Sequence, residues 1–326
     1  MAYTTIDKPS DYFETILYSG NGSTQSITSL DFQPDWCWLK ARAGANVSNH
    51  RSVDSVRGAT KELFQDATAA EETNTNGLTA FNSNGFSLGS SGGTNNSNTT
   101  YASWNWKAGG SASSNSNGTI TSSVSANTDA GFSIGTYNGS GSDNTVGHGL
   151  GVAPDMIIVK CKSTAHDWVV YHSALGNAKI LTLNATTAAQ SAGGWQNTSP
   201  TSTVFSIDNA ANSLNQSGQS FVFYAFAEKQ GYSKFSSYVG NGSNDGSFCF
   251  TGMKPSFVMI KRTSGTAASW NIRDNKRNTF NPSDQVLYPH LSNAEATQTP
   301  LSIDILSNGF KLRGNDSDVN ASGANY

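Results

Sequence analysis

Three stretches of this chain repeat one another, and a chain made of three copies of one β pattern has few ways to fold. The copies open with Tyr18-Ser19-Gly20-Asn21-Gly22-Ser23, Thr136-Tyr137-Asn138-Gly139-Ser140 and Tyr238-Val239-Gly240-Asn241-Gly242-Ser243. Asn-Gly suits a type I′ turn, because both residues tolerate positive φ, so each opening reads as a strand entering a tight turn. A second block follows: Pro34-Asp35-Trp36-Cys37-Trp38-Leu39-Lys40, Pro154-Asp155-Met156-Ile157-Ile158-Val159-Lys160 and Pro255-Ser256-Phe257-Val258-Met259-Ile260-Lys261. The apolar run in each is continuous, which marks a strand covered on both faces. Proline cannot donate to a ladder, so it marks the strand entrance.

The third block is Gly85-Phe86-Ser87-Leu88, Val204-Phe205-Ser206-Ile207 and Gly309-Phe310-Lys311-Leu312. Its alternation predicts a strand with one buried face. A closing aromatic strand comes next, Tyr101-Ala102-Ser103-Trp104-Asn105-Trp106 in the first copy and Phe221-Val222-Phe223-Tyr224-Ala225-Phe226-Ala227 in the second. In the third copy the same count lands on Tyr326. A third sandwich without that strand would expose backbone groups and apolar core along an edge. Three covers are open at this point: a strand from a neighbouring subunit, the N-terminal residues 2–13, or further chain beyond Tyr326.

The recurring lysines lie 120 and 101 residues apart, too far for solenoid units and right for small sandwiches. The fold expected is all-β, three tandem β-sandwich domains of jelly-roll or lectin-like type, at residues 1–112, 113–231 and 232–326. The polar stretch 111–117 reads as a linker, residues 118–124 as an extra strand, and helix is confined to a short piece near 60–65.

Composition narrows the function classes. Charged residues make up 13% and the formal net charge is −3, so no basic surplus exists to neutralise phosphates. Nucleic-acid binding is therefore not expected. Nor is membrane insertion, because no apolar run approaches the length of a spanning helix. The 16 Phe, 11 Tyr and 7 Trp spread along the chain argue against disorder. Cys37, Cys161 and Cys249 are widely spaced, without a C-x-x-C, and read as small buried hydrophobes.

Candidate chemistry is sparse. Glu71-Glu72 and Asp316 with Asp318 are the densest acidic groups, and both read as solvated loops. His166-Asp167-Trp168-Val169-Val170-Tyr171-His172 is the densest polar–aromatic run, read as a half-exposed strand with a packed Trp. Lys40, Lys160 and Lys261 recur once per copy, and triplication favours a structural lysine that carries its charge to the rim over a catalytic one. No catalytic residue, metal site or cofactor is expected. One binding site is: Trp195, Gln196 and Asn197, where a loop ring could stack on a sugar while amides bond its hydroxyls.

Several long segments also resemble structural proteins of tailed phages, especially marine ones. They are Thr-Thr-Ile-Asp-Lys-Pro-Ser-Asp-Tyr-Phe at 4–13, Leu-Tyr-Ser-Gly-Asn-Gly-Ser at 17–23, Asp-Ser-Val-Arg-Gly-Ala-Thr-Lys at 54–61, Trp-Asn-Trp-Lys-Ala-Gly-Gly at 104–110 and Gly-His-Gly-Leu-Gly-Val-Ala-Pro at 147–154. The resemblance implies a non-enzymatic component of the virion surface, made in the host cytoplasm. A tail fibre, spike or surface adhesin contacting host glycans leads. A capsid decoration, cement or head-appendage protein is the alternative, and a glycan depolymerase the third. The implied partners are further copies of the chain, as a trimer, other virion proteins and a host surface glycan.

Overall fold

The computed structural model describes residues 4–191, 193–209 and 212–326. It is an all-β structure of antiparallel sheets. In the first copy the main sheet runs Phe13–Ser19, Thr99–Trp106, Trp36–Gly44, Arg51–Asp54, Lys61–Phe64, Glu72–Thr73. In the second it runs Ser113–Asn115, Ser122–Asn127, Phe132–Asn138, Ser220–Phe226, Met156–Cys161, Val169–His172, Leu181–Thr182. Both copies place the aromatic closing strand centrally, between the opening strand and the Pro-to-Lys strand. Smaller sheets cover them: Gln25–Ile27, Gly85–Leu88 and Leu78–Asn82 in the first copy, Asn144–Gly147 and Val204–Ile207 in the second. The third copy keeps Phe257–Ile260 paired with Asn271–Asp274, and Phe248–Phe250 with Gly309–Leu312 and Ile303–Leu306.

Each Pro-to-Lys strand begins two residues after its proline, at Trp36, Met156 and Phe257. In the first two copies its apolar run is buried throughout, as a strand covered on both faces must be. All three cysteines are free and buried. Two local expectations fail. Residues 61–64 are a strand, not a helix, held between Arg51–Asp54 and Glu72–Thr73 by long-range pairing that overrides local propensity. The polar stretch at 111–117 contains the edge strand Ser113–Asn115, because pairing to Ser122–Asn127 needs backbone groups and no apolar side chains.

The Gly-Asn-Gly openings are not type I′ turns. Positive φ falls on Gly22, Gly141 and Gly242, at 70–72°, and not on Asn21 or Asn241. The second copy's equivalent is therefore Gly139-Ser140-Gly141, one residue later than Asn138-Gly139. What the opening does is dock on a buried asparagine. Asn95, Asn215 and Asn320 accept from the backbone N–H of Asn21, Ser140 and Asn241 at 2.9 Å each. A Cβ on Gly20, Gly139 or Gly240 would lie 2.2–2.3 Å from a carbonyl oxygen in the chain just after those asparagines, which is why glycine stands there. One turn further in, Tyr18 stacks on Tyr101, Tyr137 on Phe221 and Tyr238 on Tyr326, with centroids 4.9–5.1 Å apart. Tyr326 thus takes the place of Tyr101 and Phe221.

The three copies close into a ring. Glu71 N–H donates to Lys162 O, Ala189 N–H to Thr263 O, and Glu295 N–H to Arg42 O, so copy one bonds to two, two to three and three to one. One core cluster runs through all three, with Trp36, Trp38 and Trp104 from the first, Ile158, Trp168 and Tyr224 from the second, and Trp270, Ile272 and Leu287 from the third. Each buried Trp contributes about 4–6 kcal/mol of transfer free energy before entropy is counted. The divisions at 112/113 and 231/232 fall between sheets, while the copies they separate share this core.

Candidate functional site

The recurring lysines do not reach the rim. Lys40, Lys160 and Lys261 are buried, and each ammonium joins its own copy to the next one round the ring. Lys40 Nζ donates to Ser48 O and Ser292 O at 2.7 and 2.8 Å. Lys160 Nζ donates to Thr68 O and Cys161 O at 3.0 and 2.9 Å. Lys261 Nζ donates to Thr186 O and Ala268 O at 2.9 and 2.8 Å. Burial pushes all three down to about 8, since a desolvated ammonium has only carbonyl dipoles to replace water. Thr68, Thr186 and Ser292 hold equivalent places, so one joint is built three times.

A second joint explains the polar–aromatic run. Trp168 Nε1 donates to Phe64 O at 2.7 Å and Trp270 Nε1 to Thr182 O at 2.9 Å, each across to the preceding copy. His50 holds the same register position in the first copy, where its Nδ1 accepts from Trp38 Nε1–H at 2.9 Å. Burial keeps the His50 imidazole well below its usual range, hence neutral.

The third joint surrounds two buried carboxylates. Asp54 and Asp274 lie opposite Trp36 and Phe257 in the sheets. Tyr224 OH donates to Asp54 Oδ2 at 2.7 Å, and Trp104 Nε1 to Asp274 Oδ2 at 3.1 Å, both between copies. Arg57 and Arg277 neutralise these carboxylates at 2.5 and 2.6 Å with no side chain exposed, and reach Glu71 and Glu295, both at 2.9 Å. Glu71 is therefore an internal ion-pair partner, not a solvated loop residue. In the second copy the place of Asp54 and Asp274 is held by His172, opposite Met156.

His172 opens onto a groove of about 320 Å³. Its walls include Trp36, Phe226, Phe235, Phe257 and Met259. The groove lies between Phe257–Ile260 and residues 233–238, where a closing strand lies in the other two copies. Phe257 and Met259 are half-buried there, whereas their equivalents Trp36, Trp38, Met156 and Ile158 are buried. His172 Nδ1 accepts from Ala174 N–H at 3.2 Å, and burial lowers its pKa, so the neutral ring carries its proton on Nε2. No signal in the His166–His172 run marks this position, because it depends on what packs beside it from another copy.

The expected sugar platform does not form. Trp195 is only 2% exposed, its ring edge-on to Tyr171 and Phe205 in the second copy's core, so no sugar can stack on it. Gln196 turns inward to donate to Asn144 O and Ile207 O, and only Asn197 faces solvent. Both take left-handed backbone, with φ of 53° and 48°. Asp316 Oδ1 caps Asp318 N–H within their loop, and Asp318 Oδ1 takes Ser269 N–H from the loop before Asn271–Asp274, so this acidic pair ties two loops together.

No curated protein and no solved structure matches this chain. A family model described as a domain of unknown function does match, over residues 8–326, and that span takes in all three copies and the groove. The chain therefore belongs to the DUF7483 family.

Proposed function

We propose that this chain is a non-enzymatic structural component of a tailed-phage virion surface, serving as a tail fibre, spike or adhesin scaffold. The ring closure is the observation that carries the scaffold reading. The groups best suited to chemistry, three lysines and the carboxylates of two Asp–Arg pairs, each take a hydrogen bond that crosses from one copy to another. A ring locked in this way resists local opening, which suits a part that must survive outside a cell. The resemblance of residues 4–13, 54–61 and 147–154 to phage structural proteins supplies the particle. The reading includes self-association as a trimer and contact with other virion proteins. Host-glycan contact in this reading falls to residues other than the buried Trp195.

Gold-labelled antibody raised against the purified chain, applied to intact particles that carry its gene, tests this. Label on the tail or its fibres is expected. Regular label over the head would assign it to capsid decoration instead, and particles without label or peptide mass signal would overturn the virion reading.

A further inference from the structure

We infer that the seam between the third and first copies is an acid-sensitive latch, opened when His50 and His290 take up protons while the seam between the first and second copies stays shut. The ring supplies its own comparison, because the two seams are otherwise built alike. Each has a buried lysine bonding a carbonyl across it, Lys40 to Ser292 O and Lys160 to Thr68 O. Each has an ion-pair chain, Asp274–Arg277–Glu295 and Asp54–Arg57–Glu71. Each has one equivalent amide bonded across it, Glu295 N–H to Arg42 O and Glu71 N–H to Lys162 O, at 2.8 and 2.7 Å. Two positions differ. His50 stands where the other copies have Trp168 and Trp270, and His290 where they have Asp66 and Asn184. Asp66 Oδ1 and Asn184 Oδ1 accept the backbone N–H of His50 and Trp168, at 3.1 and 2.8 Å. Neither ring nitrogen of His290 has a partner among the described residues, although the residue is only 6% exposed.

Neither ring can hold a charge while the seam is closed. His50 is fully buried and its Nδ1 already accepts from Trp38 Nε1–H, so a second proton would set N–H against N–H. A charged His290 would gain an N–H with no acceptor to receive it. The free charges facing the pair are cations, Lys40 and Arg277 toward His50 and Lys261 toward His290. The carboxylates close by are already paired: Asp274 with Arg277, and Glu295 with Arg42 and Arg277. Asp66, on the His50 backbone, carries the opposite sign, since burial raises its carboxyl and acid favours its folded form. Burial, with Lys261 beside it, holds His290 down at about 4. A ring released to water returns to about 6.5, so between these values the open seam binds more protons than the closed one, and opening gains as pH falls. At pH 5 His290 alone raises the opening constant about thirtyfold over its value at pH 8, and His50 adds to this. His166, beside the other seam, is half-buried with Nε2 bonded to Gln216 of its own copy. The inference does not depend on the virion reading, and each can fail alone.

Hydrogen exchange of the whole chain at pH 8, 6.5 and 5, corrected for the intrinsic rate at each pH, reads both seams at once through peptides carrying Glu295 and Glu71. From pH 8 to pH 5, protection at Glu295 should fall about thirtyfold or more relative to Glu71. His290→Asn copies Asn184, and His50→Gln keeps an acceptor for Trp38 Nε1–H. Together they should leave Glu295 tracking Glu71 across the range. In the unaltered chain, NMR titration of the histidine ring protons gives a second measurement, and both rings should still be neutral at pH 5.5 in the closed protein. Protection that falls equally at the two seams, a double variant that keeps the loss at Glu295, or either ring titrating near its ordinary pH in the closed protein would overturn the proposal.

Discussion

Asn320→Asp exchanges two isosteric side chains and should nevertheless be among the most damaging single changes to the third copy. Asn320 is fully buried. Its Nδ2 donates to Ser243 O, Gly314 O and Asn241 Oδ1 at 2.7, 3.0 and 3.1 Å, while Oδ1 accepts from Asn241 N–H at 2.9 Å. An aspartate keeps the acceptor but turns a second oxygen onto three oxygens that had a donor. Leaving buried polar groups unmatched costs about 1–3 kcal/mol each, so two such losses give a total of about 3 kcal/mol. At roughly 2.1 cal/mol/K of unfolding entropy per residue over 326 residues, that lowers Tm by about 4 °C. The new carboxyl, buried among oxygens, titrates high, and its protonated form regains one donor. The loss should therefore shrink as pH falls from 7 to 5, while Asn320→Ala shows no such recovery. Calorimetry of both variants against the parent at the two pH values decides it. An Asn320→Asp protein as stable as the parent at pH 7, or one whose deficit does not change with pH, refutes the reasoning.

The buried lysines imply a pH effect of known sign. A Lys held at about 8 when folded and near 10.5 when unfolded disfavours folding below 8 and ceases to do so as pH rises through that window. Relative to Lys160→Met, the parent should gain about 2 kcal/mol between pH 8 and pH 10 in urea titrations, and parallel profiles would contradict the burial. Arg57→Met leaves Asp54 charged and buried, with a cost of about 3–5 kcal/mol. The double variant Asp54→Asn, Arg57→Met should cost less than the two single changes summed, and additivity in the cycle would show that the pair is not coupled. Gly240→Ala sets a Cβ 2.3 Å from Ala321 O and should destabilise by roughly 1–3 kcal/mol, whereas a neutral result would mean the opening does not pack against the Asn320 turn.

Much of the fold was legible in contiguous residues. The Pro-to-Lys runs, the alternating Phe86, Phe205 and Phe310 strands and the aromatic closing strands all appear where their patterns place them. These features are local, because strand period and proline entry depend on neighbours in the chain. The site was not legible in the same way. Trp195 looked like a loop ring and is core, since flanking Gly and Ser say nothing of what packs above it. Lys40, Lys160 and Lys261 looked like rim charges and are buried joints, since their acceptors at Ser292, Thr68 and Thr186 lie in another copy.

Contiguous residues were enough to read this chain as all-β, with one strand pattern written three times. Contacts between distant segments were needed to see that the three instances close into a ring, that His172 stands where the other copies have Asp54 and Asp274, and that a groove lies beside it. The difference is one of range. Side-chain periodicity is written over a few residues, whereas a hydrogen bond from Lys40 to Ser292 spans 252 positions and exists only once the ring is closed.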